Sequence, residues 1–186
     1  MKHYAGHYYH VYNRGVNRQS IFAIEENYHF LLRRMKQFLS LYPIRIIAYV
    51  LMSNHYHLLV GVDKDDALSP FFQRSFNSYS QAFNRQQNRS GTLFESRAKS
   101  ILIDDSSHVY ALTRYIHLNP VVAGLVHNPE DWQFSNYSEW IGLRKDALFD
   151  SEFRDMFFSS ADEYRQFVAT DIPQAIERKL AKYYFD

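Results

Sequence analysis

The chain has 186 residues, enough for one substantial domain and barely enough for two. Its hydrophobic share of 46% and net charge of +1 exclude the low-hydrophobicity, high-charge composition of a disordered chain. It contains no cysteine, which removes disulfides, thiolate metal sites and cysteine nucleophiles together.

The amino terminus, Met1 to His10, is polar and aromatic and lacks the apolar core of a secretory signal. The longest apolar run, Ile46 to Met52, is too short to span a bilayer. A soluble, cytoplasmic protein is expected. His7 to Asn13 reads as a strand ending at Asn13-Arg14-Gly15, where glycine permits a turn. From Glu25 to Leu41 the pattern is helical, with Tyr28, Leu31, Leu32, Met35 and Leu39 at three-to-four spacing and Pro43 as the stop. Ile44 to Met52 alternates, which predicts Ile44, Ile46, Ala48, Val50 and Met52 on one face. Ser53-Asn54 offers a turn, and His55 to Val62 resumes the strand as the second arm of a hairpin.

A second helix is expected over Pro70 to Gln87, with Ser69 as N-cap and Pro70 at its first position. Its stripe is Phe72, Phe76, Tyr79 and Phe83. Thr92 to Ile103 looks extended. Asp104, Asp105 and Ser106 offer caps for a third helix that reaches about Asn119 and stops at Pro120. Beyond Gly124 the chain is irregular, with Trp132, Phe134, Tyr137 and Trp140 folding back on the domain. Helix is expected again at Ala161 to Val168 and from Pro173. The order β-α-β-β-α-β-α predicts an α+β fold of ferredoxin-like plan, a largely antiparallel sheet with helices packed on it. Residues 1–146 form the domain, and 147–186 a helical tail of unassigned function.

Three features bear on chemistry. Aromatic residues reach 17% of the chain, with 15 Tyr, 15 Phe and 2 Trp, and exposed rings suit stacking on unpaired bases. His55 and His57 are one residue apart on a strand, so both imidazoles project to one face and Tyr56 to the other. Neutral imidazoles side by side are natural ligands for a divalent metal, although that spacing alone more often places two histidines at a solvated sheet end. On the third helix Tyr115 and Asn119 stand one turn apart, a phenol beside an amide oxygen that suits a hard cation. Val109, Leu112 and Ile116 form the adjacent stripe that seats this helix.

At this point the residues resemble a known group. Leu51-Met52-Ser53-Asn54-His55-Tyr56-His57-Leu58-Leu59-Val60 resembles the histidine-hydrophobe-histidine (HUH) strand of single-strand DNA transposases. Arg114-Tyr115-Ile116-His117-Leu118-Asn119-Pro120 and the following Val121 to Val126 are similar to the tyrosine helix of the REP-associated tyrosine transposases. Tyr12-Asn13-Arg14-Gly15, Gly91-Thr92-Leu93-Phe94-Glu95-Ser96-Arg97 and Trp132-Gln133-Phe134-Ser135-Asn136-Tyr137 agree as well, in the family's order. The match runs from about Tyr8 to Tyr137. Tyr56 departs mildly from the usual aliphatic middle residue.

The resemblance implies an HUH fold and a divalent cation, magnesium or manganese. It implies cleavage and rejoining of single-stranded DNA through a 5′-phosphotyrosine, at sites flanked by hairpins. Carried over by position, the nucleophile falls on Tyr115 and the metal ligands on His55, His57 and Asn119. Arg14, Arg18, Arg74, Arg85, Arg89, Arg97 and Lys99 are candidates for the DNA backbone, with Arg14 and Arg97 favoured by their motif positions. Glu95 is either a group near the metal or a surface ion-pair partner. Single-stranded or hairpin DNA is the expected partner, with no membrane. Related transposases leave monomer and homodimer both open. A relaxase or replication initiator shares this chemistry but carries different flanking motifs. A binding domain that had lost cutting would have no need of both histidines and Tyr115.

Overall fold

The computed structural model describes residues 2–103, 105–145, 148 and 150–170. In chain order the elements are β1 (His7–Arg14), α1 (Glu25–Leu39), β2 (Ile44–Leu51), β3 (His55–Val62), α2 (Leu68–Gln86), β4 (Lys99–Ile103) and α3 (Ser106–Val122). Three short helices follow: α4 (Tyr137–Trp140), α5 (Ser151–Phe157) and α6 (Ala161–Ala169). The strands form one sheet in the order β2-β3-β1-β4, every neighbouring pair antiparallel. β1 and β2 are linked through α1 yet separated by β3, which is the expected α+β, ferredoxin-like plan.

Each face of the sheet buries its own aliphatic and aromatic set. Tyr9, Val11, Tyr56, Leu58 and Val60 meet Leu31 and Met35 of α1 and Phe72, Phe76, Tyr79 and Phe83 of α2 in one core. Val50 and Leu59 meet Val109, Leu112 and Ile116 of α3 in the other, where Trp140, Phe153, Phe158 and Tyr164 also pack. The chain after Gly124 therefore does fold back, and α5 and α6 share the core beneath α3. No helix among the described residues is long and apolar enough to cross a membrane.

Four local expectations change. The alternation of β2 breaks at Ile47, where a β-bulge lies between the pairs Ile46–Val60 and Ala48–Leu59. The extra residue moves the later side chains by one step. Ile44 and Ile46 face α1 and α2, while Ala48, Val50 and Met52 face α3. The second helix begins at Leu68 with Ala67 before it, so Ser69 lies inside the first turn and Pro70 is third. Proline is tolerated there because that turn's N–H groups have no intrahelical acceptor. Of Thr92 to Ile103, only Lys99–Ile103 pairs as a strand, preceded by an isolated bridge between Gly15 and Phe94. The third helix continues through Pro120 to Val122. Asp104, the side chain of Ser106 and the helix expected from Pro173 lie outside the described residues.

At the end of the sheet where β1 stops, three motif segments are tied together by backbone. Gly15 N–H donates to Asn54 O at 2.8 Å, Val16 N–H to Leu93 O at 3.0 Å, and Glu95 N–H to Arg14 O at 3.0 Å. Gly15 has φ of −64°, so the left-handed region is not what selects glycine. A Cβ there would stand 2.1 Å from the backbone oxygen of Gln19, so the constraint is close approach.

The free edge of β2 is covered by the tryptophan segment. Leu51 N–H donates to Phe134 O at 2.9 Å and Asn136 N–H to Tyr49 O at 3.3 Å. The bulge carbonyl of Ile47 accepts from Asn136 Nδ2 at 2.9 Å and Trp140 Nε1 at 3.0 Å. A carbonyl displaced from the ladder is thereby satisfied.

Candidate active site

β3 is an inner strand, paired to β2 on one side and β1 on the other, so its register decides what surrounds the histidines. Arg14 lies opposite His55 and Tyr12 opposite His57, and Lys99 of β4 lies opposite Tyr12. Antiparallel partners share a face. His55, His57, Tyr12, Arg14 and Lys99 thus lie on the α3 side of the sheet. Tyr56 points the other way, buried against Phe76 and Phe94.

α3 lays Tyr115 and Asn119 over the two histidines. The Tyr115 ring meets the His57 ring edge to face, centroids 5.4 Å apart, and the His55 and His57 rings are 5.2 Å apart. Asn119 Oδ1 is 3.2 Å from His55 Nε2. The four residues expected from the sequence are therefore brought together. His57 is fully buried, while His55, Tyr115 and Asn119 are half-buried at its edge.

Each histidine has its Nδ1 engaged. Asn54 Nδ2 donates to Arg18 O at 3.3 Å, which turns Asn54 Oδ1 toward His55 Nδ1 at 2.7 Å. The His55 proton consequently sits on Nδ1. Its Nε2 then presents a lone pair toward a second acceptor, Asn119 Oδ1. A shared cation satisfies both, as does rotation of the Asn119 amide. His57 Nδ1 is 2.9 Å from Nε2 of a third histidine, His10 of β1.

Burial holds all three imidazoles in the neutral form. The His55 pKa lies below its ordinary value through burial, which outweighs the opposing pull of the Asn119 amide oxygen and is helped by the Arg14 charge. His57 lies well below for the same first cause, with His10 and His55 adding to it. Desolvation brings His10 down to about 3.

α3 is held from behind by a buried polar chain. Its His117 points away from the histidine pair, with Nε2 2.9 Å from Asn136 Oδ1 and Nδ1 2.6 Å from the Tyr164 hydroxyl of α6. Asn136 Oδ1 also accepts the Tyr49 N–H of β2 at 2.8 Å. Arg114 donates to Val168 O at 3.0 Å and Thr170 O at 2.8 Å, the carbonyls at the end of α6. The helix that carries Tyr115 is thus bonded to the tryptophan segment and α6, and through Asn136 to β2.

The basic candidates separate by position. Arg14 is on the histidine face and pairs with Glu95 at 2.5 Å, which makes Glu95 an ion-pair partner in this structure. Lys99 Nζ stands 5.8 Å from the centre of the Tyr12 ring, beside the site. Arg18 and Arg97 are exposed in the loops at that end of the sheet. Arg74, over the Tyr42 ring, and Arg85 lie on α2, in the layer on the opposite side of the sheet. Arg89 follows that helix and lies over Phe83. Sequence reasoning did not single out His10, Tyr12, Asn54, His117 or Asn136 as parts of this arrangement. Their residue types carried a signal, but pairing register was needed to direct them here.

Fold, histidine pair and tyrosine helix place the chain among the DNA transposases that its motifs resemble. It belongs to the IS200-like transposase family, whose model matches residues 3–119, a span that ends on Asn119. The "putative REP-associated tyrosine transposase" of Haemophilus influenzae is 29% identical over 112 residues. That match covers 55% of this chain and 64% of the relative, less than two thirds of its length. The solved REP-associated tyrosine transposase bound to a REP hairpin matches with a TM-score of 0.60 at 19% identity, over 81% of this chain and 91% of that one. At that identity the likeness concerns the fold.

Proposed function

We propose that this protein is a metal-dependent single-strand DNA endonuclease and transposase that cuts and rejoins DNA through a 5′-phosphotyrosine on Tyr115. The observation that carries the reading is the convergence of His55 Nε2 and Asn119 Oδ1 at 3.2 Å, with the Tyr115 ring against His57. Among the described residues no group of three or more His, Cys, Asp or Glu side chains is arranged to hold a metal. A cation here would take its protein ligands from His55, His57 and the Asn119 amide. The amide oxygen suits magnesium or manganese, and of these two manganese accepts the imidazole nitrogens more readily. When bound, such a cation supplies charge that polarises the scissile phosphate and favours the phenolate.

The protein's own residues do the rest. A tyrosine hydroxyl has an ordinary pKa near 10, so it is a weak nucleophile at neutral pH and depends on placement. Tyr115 Oη bonds to phosphorus as the bond to the 3′ oxygen breaks. The phenol proton is lost, and the departing oxygen takes a proton to leave a 3′ hydroxyl. The phosphodiester energy is kept in the phosphotyrosine, and attack by a 3′ hydroxyl later restores a phosphodiester with no nucleotide cofactor. Lys99, Arg14 and Arg18 are positioned to contact the backbone of the strand, and the ring of Tyr12 offers a stacking surface. Arg74 and Arg85 are poorly placed for it.

The substrate is single-stranded DNA beside a hairpin, in keeping with the hairpin bound by the solved REP-associated transposase. The test is incubation of the full chain with hairpin DNA bearing a single-stranded flank, with manganese or with chelator. A denaturing gel and peptide mass spectrometry then read the products. A manganese-dependent adduct on Tyr115 is expected. Cutting without any adduct points to a hydrolytic nuclease, and binding without cutting to a recognition module; either result overturns the proposal.

A further inference from the structure

His10 lies on β1, outside the residues from which the histidine pair is read, and it is fully buried at 0% exposure. Its ring lies against both Tyr12, at 5.0 Å and 29°, and His57, at 5.1 Å and 16°. Its Nε2 is 2.9 Å from His57 Nδ1, a meeting across the diagonal of the β1–β3 ladder, since His10 pairs in register with Leu59. A fully buried imidazole is costly to desolvate, and leucine or phenylalanine would fill the space at less cost.

The geometry points to His10 as a positioning residue that fixes the orientation and tautomer of His57 through the bond between their rings, leaving His57 Nε2 as the ligating atom. This inference rests on the metal reading above. A neutral imidazole has one N–H and one lone pair. A histidine that ligates through Nε2 must carry its proton on Nδ1, and here that proton is donated to His10 Nε2. His10 therefore carries its own proton on Nδ1. His55 has the same design with a different partner, because Asn54 Oδ1 takes its Nδ1 proton at 2.7 Å. The two histidines are thus each oriented from a neighbouring segment, one by an amide and one by an imidazole. A hydrogen-bonded partner on the far nitrogen of a ligating histidine typically contributes 10–100-fold in metal affinity. His10 is not itself aimed at the cation, because the nitrogen nearest the pair is spent on His57.

The test uses manganese alone and the full chain. Manganese affinity is measured by electron paramagnetic resonance for the wild type, His10→Leu, His10→Gln and His57→Ala. His10→Leu should weaken manganese binding roughly 10–100-fold. His10→Gln, whose amide oxygen still accepts from His57 Nδ1, should recover most of the loss. Hairpin binding without metal should stay unchanged in both. A second measurement needs no variant: nitrogen-15 NMR of the wild type should place the His57 proton on Nδ1. Unchanged manganese affinity in His10→Leu, with binding lost in His57→Ala, overturns the role of His10 alone. A His57 proton on Nε2 overturns it as well. A wild type that binds no manganese, or His57→Ala that binds it undiminished, overturns the metal reading and the role of His10 with it.

Discussion

Replacing Asn136 by leucine tests whether the chain of bonds behind α3 holds this domain together. The two side chains have similar volume, so the change removes polarity with little cavity. Asn136 is 1% exposed and joins three partners. It accepts Tyr49 N–H at 2.8 Å and His117 Nε2–H at 2.9 Å, and donates to Ile47 O at 2.9 Å. In Asn136→Leu the Ile47 carbonyl keeps the Trp140 indole at 3.0 Å, but two buried N–H donors face a methyl group. A buried donor left without an acceptor costs about 1–3 kcal/mol, so the two together should cost roughly 4 kcal/mol. For a chain of this size that lowers Tm by roughly 10 °C. Urea unfolding followed by far-ultraviolet circular dichroism measures it, as a lower midpoint at unchanged slope. A loss below about 1 kcal/mol would mean that the network is not a structural tie, because even one orphaned donor should exceed that.

Four other outcomes are expected. Tyr115→Phe removes one oxygen and should abolish covalent DNA attachment while hairpin binding persists; an adduct on another tyrosine would refute the choice of nucleophile. His55→Ala and His57→Ala should each lower the cleavage rate at least about 100-fold, by the weight of metal catalysis, with the circular dichroism spectrum retained; wild-type cutting by the double variant would refute the ligand assignment. Hairpin DNA with a single-stranded flank should bind at least about 10-fold more tightly than a blunt duplex of equal length, because stacking platforms recognise unpaired bases; equal affinities at moderate salt in a fluorescence titration would contradict this. Gly15→Ala places a Cβ 2.1 Å from a backbone oxygen and should destabilise the chain by roughly 2 kcal/mol or more; an unchanged Tm would show that the loop yields freely.

Much of this fold was legible in the order of residues. Period-two and period-3.6 patterns are local properties of a chain, so the strands around His10, Ile46 and Leu58 and the helices around Leu31 and Phe76 could be read before any contact was known. His55 and His57 share a face for the same reason, since alternation along one strand needs no partner. The bulge at Ile47 escaped that logic. One inserted residue is invisible in a run where Ile46, Ile47, Ala48 and Tyr49 are all apolar, and it is identified only by what pairs across from it. The persistence of α3 through Pro120 was hidden because proline lacks the N–H that would bond Ile116 O and commonly ends a helix. Here Ala123 N–H to Asn119 O and Leu125 N–H to Pro120 O, both at 2.9 Å, close the turn beyond it.

Spacing alone put Tyr115 and Asn119 on one side of a helix, but could not say which surface that side would meet. Tertiary structure decided this by seating Val109, Leu112 and Ile116 on β2 and β3, which lowers the next stripe of α3 onto the histidines. It also decided which cations stand near the site. Arg14 and Lys99 reach the histidine face because antiparallel register sets them in the rows of His55 and His57. Arg74 and Arg85 lie across the sheet because α2 buries its aromatic stripe there. His10 marks the division most sharply. Its place on a strand was readable from the run His7 to Asn13, while its bond to His57, 47 positions away, exists only because β1 pairs with β3. Periodicity determines the face a side chain takes, and the pairing of distant strands determines what it finds there.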